Sequence, residues 1–437
     1  MSTKECKAGG LGETKSNIQV SVIIPVYNAG HYLETCLDSV CAQAIRGLEI
    51  ICIDDGSTDD SYTILKRYAQ RDDRIRIIRQ ANSGPGPARN RGLREALGEF
   101  VAFLDADDYY LDSNALGQLY RFCKENHVNV CGSALKYLRQ GVVTDDTTLA
   151  DVKRAAQVNR ILQYSAFQFD YGYTGFLFSR EMLEGEQITF PTYRRYQDPC
   201  FLVRAMYAAG QFSFCDAALY VCRVPTMASR FTKEKVTDLL MGLRDNLSFA
   251  REKRMDKLFE TSLMRLEYEY YSIICRYVSI EDARQISLLR EINCLVCEVL
   301  NDDEYLVRPL SCILSKDRDF YLHYEENLCG KIMDRAYLYL YGAGGMARKF
   351  IRYLKDNVLL HKVKGIIVSE QTKDGQFVEG IPVGTLERLQ VKTDDYILIG
   401  TGAVFHKEIY DNLQSKGFGN ADILDSVFLE ELPETDG

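Results

Sequence analysis

Three carboxylates within four residues, Asp105, Asp107 and Asp108, close the stretch Glu99-Phe-Val-Ala-Phe-Leu-Asp-Ala-Asp-Asp108. Phe100 to Leu104 has the length and composition of a buried strand. An apolar strand that delivers acids at its carboxyl end is the layout of a ligand crevice in an open α/β sheet. Side chains alternate along extended chain, so Asp105 and Asp107 are expected on one side. Two hard oxygen ligands there suit Mg²⁺ or Mn²⁺, with water and phosphate oxygens filling the rest of the shell. Taken alone, the triplet is more often a polar turn after a strand; the residues before it decide otherwise.

Those residues alternate strand and helix patterns. Val20 to Val26 and Leu48 to Ile53 are buried-strand runs, and Arg74 to Ile78 is a third. Apolar positions at helical spacing follow the first strand (Tyr32 to Ala44) and the second (Tyr62 to Ala69). After the third comes Asn82-Ser-Gly-Pro-Gly-Pro-Ala-Arg-Asn-Arg-Gly92, a loop entering a helix with Pro87 placed as its first residue. The alternation predicts a largely parallel, doubly wound sheet. Pro25-Val-Tyr27, Asp54-Asp55 and Asp105-Ala106-Asp107 then converge on one edge, beside a helix amino end that carries Arg89 and Arg91. Amides, arginine and a carboxylate-held metal make a diphosphate site. An acid at the second strand end can accept hydrogen bonds from a base or ribose.

Ser21-Val-Ile-Ile-Pro-Val-Tyr-Asn28, Ile53-Asp-Asp-Gly-Ser-Thr-Asp59, Gly86-Pro-Ala-Arg-Asn-Arg-Gly92 and Phe103-Leu-Asp-Ala-Asp-Asp108 together resemble the signature blocks of family-2 glycosyltransferases. These are inverting enzymes of the GT-A fold that use nucleotide-activated sugars. The resemblance implies that Pro25 and Tyr27 flank the nucleobase and that Asp55 pairs with it. It places Asp54 and Ala106 in the donor-binding set, Arg89 on the diphosphate, and Asp105 and Asp107 on ribose and metal. A divalent cation, Mn²⁺ or Mg²⁺, is the implied cofactor, and a UDP-sugar the implied donor.

Farther on, residues 133 to 165 read as an acceptor-side insertion, and aromatics crowd Tyr164 to Tyr196. Aromatic walls suit saccharide or lipid-linked saccharide acceptors, although most such rings are core, with one or two expected to touch acceptor. Tyr196-Gln-Asp-Pro-Cys-Phe-Leu-Val-Arg204 and Leu219-Tyr-Val-Cys-Arg223 are similar to the family's acceptor-side blocks. By that likeness Asp198 is the catalytic base that takes the acceptor's proton. Gln197 stands where the family usually has Glu, and the chain has no Trp.

The second half carries no such blocks. Thr232 to about Lys331 keeps helical faces throughout, a linker domain that covers the active site or makes a homo-oligomer. Tyr337 to Tyr341 then enters Gly342-Ala-Gly344-Gly-Met-Ala347, a G-x-G-x-x-A turn of the pyrophosphate-binding type. Gly342, Gly344 and Ala347 are therefore a candidate second nucleotide site, with a structural or regulatory role favoured over chemistry. The expected organisation is α/β: a loose tail over 1–17, a GT-A domain over 18–231, helices over 232–331 and a small Rossmann-like domain over 332–437. The expected activity is transfer of a sugar to a hydroxyl acceptor in surface polysaccharide or glycoconjugate synthesis. A sugar-nucleotide-binding regulator, or a sugar-modifying enzyme centred on the glycine turn, is the alternative.

Composition narrows the remaining classes. The 437 residues carry a net charge of −9 and show no basic stripe, which argues against nucleic-acid partners. The 14 cysteines are scattered, as in a reducing compartment, and the lone Cys294-Leu-Val-Cys297 lies in a helical pattern. No run of 18 apolar residues occurs, so a cytoplasmic protein is expected, with peripheral contact at the inner membrane face left open.

Overall fold

The computed structural model describes residues 18–139, 141–145, 149–224, 231–315, 320–321, 323–369, 375–402, 405–425, 428–429 and 432. The expected tail, 1–17, lies outside them. The chain divides into two compact units, Met1–Val224 and Pro225–Gly437; the helical run and the second sheet share the second unit.

In the first unit, β1 (Val20–Val26), β2 (Leu48–Asp54), β3 (Ile75–Arg79) and β4 (Phe100–Phe103) are parallel, in the order β3-β2-β1-β4. β1 and β2 are buried along almost their whole length, as their continuous apolar runs require of a sheet covered on both faces. Helices α1 (Leu33–Cys41), α2 (Ser61–Ala69) and α3 (Pro85–Glu95) connect them. α1 buries Leu33, Cys36, Leu37 and Val40, the stripe its spacing predicts. α3 starts at Pro85, two residues before the expected Pro87, because Gly84 takes φ +94° and turns the chain into the helix there. Gly92 on α3 has no room for a side chain: a Cβ would lie 2.3 Å from Ile23 on β1.

Beyond β4 the sheet becomes mixed. β5 (Tyr109–Tyr110) follows the acidic turn, and α4 (Ala115–Asn126) leads to β6 (Val130–Arg139). β7 (Phe176–Ser179) runs antiparallel between β4 and β6, and β8 (Gln211–Arg223) pairs parallel with β6. The expected insertion over 133–165 therefore begins later than the sequence suggested. Val130 to Leu135 is fully buried sheet, and Gly132 lets the Phe176 ring approach to where a Cβ would be 2.1 Å away. The sequence pattern marks a strand start at Val130, and the small residues after it carry too little apolar signal to show how far the strand runs.

In the second unit, helices α5 (Lys233–Lys253), α6 (Asp256–Met264), α7 (Tyr271–Tyr277), α8 (Ala283–Leu300), α9 (Arg308–Leu314) and α10 (Tyr324–Met333) precede a second sheet. A π-helical turn, Arg265–Glu269, joins α6 to α7. The sheet holds β9 (Leu338–Tyr341), β10 (Val363–Ile367), β11 (Phe377–Val378), β12 (Ile381–Gly384), β13 (Ile397–Ile399) and β14 (Ala421–Ile423). Its order is β11-β12-β10-β9-β13-β14, and every pair but the β11–β12 hairpin is parallel. Leaving out the antiparallel edge strand β11, the order is the 3-2-1-4-5 of a Rossmann-like sheet.

Candidate active site

The site begins where β1 outruns β4. The two strands pair only as far as Ile23 with Phe103, whereas β1 stays with β2 to Val26 and Asp54. Pro25 lies past the last β1–β4 pair, where its missing N–H costs no ladder bond. The crevice this opens lies between β1 and β4, the switch point of the parallel sheet. Tyr27, just beyond the strand, is 53% exposed.

Across the β2 side, Asp54 and Asp55 are buried. Asp54 Oδ1 accepts from the Ser57 N–H at 3.0 Å, and Oδ2 lies 2.9 Å from Arg79 Nε. Asp55 is the organiser of the next loop. Its Oδ1 accepts from Gln80 Nε2 at 2.7 Å and the Ser83 N–H at 2.9 Å, and its Oδ2 from the Gly84 N–H at 2.9 Å. One carboxylate thus fixes the loop that enters α3 and carries Arg89.

The acids after β4 do not continue the strand. The Asp108 N–H donates to the Asp105 carbonyl at 3.0 Å, closing a tight turn over Asp105-Ala106-Asp107-Asp108. The strand alternation expected for Asp105 and Asp107 therefore does not apply, and the turn gives each acid a different setting. Asp105 Oδ1 accepts from Arg89 Nη2 at 2.7 Å and from the Tyr173 hydroxyl at 3.1 Å. Asp108 is buried; it accepts from the Tyr220 hydroxyl at 2.7 Å and the Arg223 N–H at 2.7 Å. Arg223 Nε donates to the Asp107 carbonyl at 3.0 Å while its guanidinium lies 4.7 Å from the Tyr32 ring centre. Among the described residues no other residue is seen to donate a hydrogen bond to, or form an ion pair with, the half-buried Asp107 carboxylate, which feels the Arg223 and Arg89 charges. Ala106 is buried, its small side chain part of the turn's packing.

Arg89 is buried, flanked by the rings of Tyr173 at 5.1 Å and Phe190 at 5.4 Å. Its Nε and Nη1 have no hydrogen-bond partner among the described residues. Arg91, on the other side of α3, is exposed and pairs with Glu95, so of the two arginines only Arg89 meets the acids. Asp198 stands in the first turn of the helix Gln197–Ala209, whose preceding residue Tyr196 is in the left-handed region. It is half-buried and interacts electrostatically with Arg89 and Asp105. The chain thus brings Arg89, Asp105, Asp107 and Asp198 into one electrostatic neighbourhood.

That neighbourhood shifts its acids. Burial raises the Asp107 pKa and Asp105 adds to it, against Arg223 and Arg89. Burial likewise raises Asp108, reinforced by Asp105 and Asp107. Asp198 is raised by burial in spite of Arg89 and Arg195. For Arg89, burial works against the charged form, and Tyr173 and Asp105 more than reverse it, so the guanidinium stays charged.

The aromatic stretch is mostly core. Phe190 stacks on Phe201 at 3.9 Å, both edge-on to Phe103, and Phe176 and Phe178 are buried beside them. The hydrogen bonds of Tyr173 to Asp105 and of Gln80 to Asp55 escape sequence reasoning. Tyr173 was one ring among many, and Gln80 belongs to no motif.

In the second unit, Gly342 takes φ +111°, and a Cβ there would lie 2.7 Å from Thr401. Gly344 caps the helix Gly345–Asp356 from exposed backbone, and Ala347 is buried against the sheet.

The comparisons agree with this geometry. Residues 21–185 match the profile of glycosyl transferase family 2. The putative glycosyltransferase EpsH of Bacillus subtilis is 31% identical over 243 residues, 53% of this chain and 69% of that protein. The uncharacterized glycosyltransferase EpsJ of the same organism is 32% identical over 215 residues, 47% of this chain and 60% of that protein. TarS 1-349 of S. aureus, solved with UDP, superposes with a TM-score of 0.54 at 23% identity, covering 72% of this chain and 92% of that one, which shows a common fold. With the signature blocks gathered at the switch-point crevice and the EpsH match spanning two thirds of that protein, the chain belongs to glycosyltransferase family 2.

Proposed function

We propose that the protein moves a sugar from a nucleoside-diphosphate donor, a UDP-sugar, to a hydroxyl of a saccharide acceptor, with inversion, in the synthesis of a cell-surface polysaccharide. The observation that carries this is the pairing of one buried cation, Arg89, with acids in two different conditions. Asp105 and Asp108 are tied to donors of other residues, whereas the Asp107 carboxylate takes none from another residue among the described ones. TarS, which shares the fold, was solved with UDP and with UDP-GlcNAc. A poly(ribitol-phosphate) beta-glucosyltransferase of Bacillus spizizenii is 34% identical over 209 residues. The first supports a UDP-sugar donor and the second a polymeric acceptor.

In this reading Tyr27 offers an exposed ring to the nucleobase, and Arg89, buried beside Asp105, sets its positive charge behind the diphosphate. No group of three or more His, Cys, Asp or Glu placed to hold a metal occurs among the described residues. The residues present still fit a hard divalent cation. Mg²⁺ and Mn²⁺ are commonly held by one or two carboxylates plus substrate phosphates, and Asp107, seconded by Asp105, supplies those. When bound, the metal offsets charge on the leaving diphosphate. Asp198, buried enough for a raised pKa and near the Arg89 and Asp105 charges, takes the acceptor hydroxyl's proton as its oxygen attacks.

The test is a panel of nucleotide sugars with Mn²⁺, reading nucleoside-diphosphate release and, by NMR, the product's anomeric configuration. UDP-sugar turnover that is lost on chelation and in Asp107→Ala is the expected result. Turnover indifferent to chelator removes the metal assignment, and a product that retains configuration removes the single-displacement mechanism.

A further inference from the structure

The second unit contains a cavity of about 310 Å³ that the transferase chemistry does not use. Its floor is sheet, including Leu398 and Ile423, and its walls are aromatic: Tyr268, Tyr271, Tyr321, Tyr324, Tyr396 and Tyr410. The wall bearing Glu267 and Tyr268 is the π-helical turn Arg265–Glu269, a distortion that recurs at functional sites.

Charge accounting separates one residue from the rest. Lys331 pairs with Asp422, and Arg276 pairs with Asp425 at 2.6 Å. Glu267 is occupied, accepting from the Tyr305 hydroxyl at 2.7 Å and the Arg308 N–H at 3.2 Å. Arg308 has no carboxylate partner among the described residues. Its guanidinium is held 4.7 and 4.5 Å from the ring centres of Tyr268 and Tyr271, and Nη1 donates to the Glu267 carbonyl at 3.0 Å. Nε and Nη2 are left over. A guanidinium fixed by π faces, with part of its fork unspent, is preorganised for a phosphate or carboxylate.

We propose that this cavity binds a phosphorylated sugar: one ring against the tyrosine faces and its anionic group on Arg308. Its volume is at the low end of the roughly 300–1,000 Å³ of small-molecule sites, room for one ring and one anion and not for a whole nucleotide sugar. The ring's hydroxyls would meet tyrosine hydroxyls and the Lys331–Asp422 pair. The site is separate from the glycine turn, since Gly342, Gly344 and Ala347 do not line it. It does not depend on the proposed transferase reaction.

The experiment is titration calorimetry of the full chain with glucose 1-phosphate, and with methyl glucoside and inorganic phosphate as the neutral-ring and bare-anion arms. Glucose 1-phosphate should bind saturably and at least tenfold more tightly than either arm. Arg308→Ala should weaken it at least tenfold, and Arg89→Ala, in the other unit, should leave it unchanged. Tyr410→Ala, which removes a wall and keeps the cation, should weaken glucose 1-phosphate several-fold and decides the matter if Arg308→Ala does not fold. No saturable binding, equal binding of inorganic phosphate, or loss in Arg89→Ala with retention in Arg308→Ala overturns the proposal.

Discussion

Arg89 Nη2 lies 2.7 Å from Asp105 Oδ1, and this contact ties helix α3 to the turn that carries the acids. Arg89 is nearly sealed from water, while the Asp105 side chain is 31% exposed. Breaking a fully buried ion pair from one side costs about 3–5 kcal/mol, because the remaining charge is stranded. With Asp105 partly solvated, Arg89→Met should cost less, roughly 2 kcal/mol in urea unfolding. Arg89→Lys should recover much of the stability and little of the activity, since a compact ammonium cannot pair with Asp105 and keep its charge where the planar guanidinium holds it between Tyr173 and Phe190. Equal activity in Arg89→Lys and wild type would remove Arg89 from the diphosphate site.

Tyr27 makes the opposite case. Its ring is exposed at the end of β1, so folding gains little from it. Tyr27→Ala should change stability by no more than about 0.5 kcal/mol. If the ring stacks on the donor's base, the same variant should raise the KM for donor about tenfold, at the scale of 1–3 kcal/mol for base–aromatic stacking. Unchanged KM would leave the residue without a donor role.

The sequence made the first half legible because its strands are long apolar runs with chemistry at their ends. Val20–Val26, Leu48–Asp54 and Phe100–Phe103 needed only a period and a burial argument. The turn that follows β4 did not yield to that argument. Alternation puts Asp105 and Asp107 on one side, but the 3.0 Å bond from the Asp108 N–H to the Asp105 carbonyl bends the chain and gives the three acids different settings. Leu111 to Val130 reads as a helix and the start of a strand, but the rest of β6 is not legible, because Cys131, Gly132 and Ser133 carry little hydrophobic signal; the Phe176 ring that covers Gly132 comes about 45 residues later on the chain. Arg308 carries no motif at all, and only the three-dimensional count of paired charges singles it out.

Gly86 couples fold to site through backbone alone. It lies in the first turn of α3, where a Cβ would come 2.4 Å from the Pro191 carbonyl oxygen, in the segment that leads to Asp198. A carbonyl fixed in the chain cannot rotate aside as a side chain can, so either α3 or the 191–197 segment must move. Gly86→Ala should therefore cost about 1–3 kcal/mol of stability and lower kcat while the donor KM changes less. Gly117, inside α4, has nothing within 4 Å of a Cβ. Gly117→Ala should instead add about 0.4–1 kcal/mol and leave kcat alone. Paired thermal melts and initial rates check both, and a harmless Gly86→Ala would show that the helix and the Asp198 segment are not rigidly joined.

Asp198 should show opposite effects on activity and stability. Its pKa in the folded chain is raised by burial above the ordinary aspartate value of about 3.9. As a base it works only when deprotonated, so kcat/KM should fall as pH drops through that raised value, earlier than an exposed aspartate would allow. For stability the sign is reversed. Below about pH 3.9 the residue is protonated in folded and unfolded chains alike and contributes nothing. As pH rises, the unfolded chain releases the proton first, so stability is lost until the folded pKa is passed and is then constant. Asp198→Asn has no proton to release and should be the more stable protein at pH 7, with the difference vanishing toward pH 3.5. Its kcat should be lower by about 10²–10⁴, the usual worth of a general base. Unfolding curves across pH and rates at saturating donor measure the two effects in one variant. A destabilised Asp198→Asn at pH 7 would mean that the carboxylate is held by favourable contacts, and one with near-normal kcat would mean that the acceptor's proton goes elsewhere.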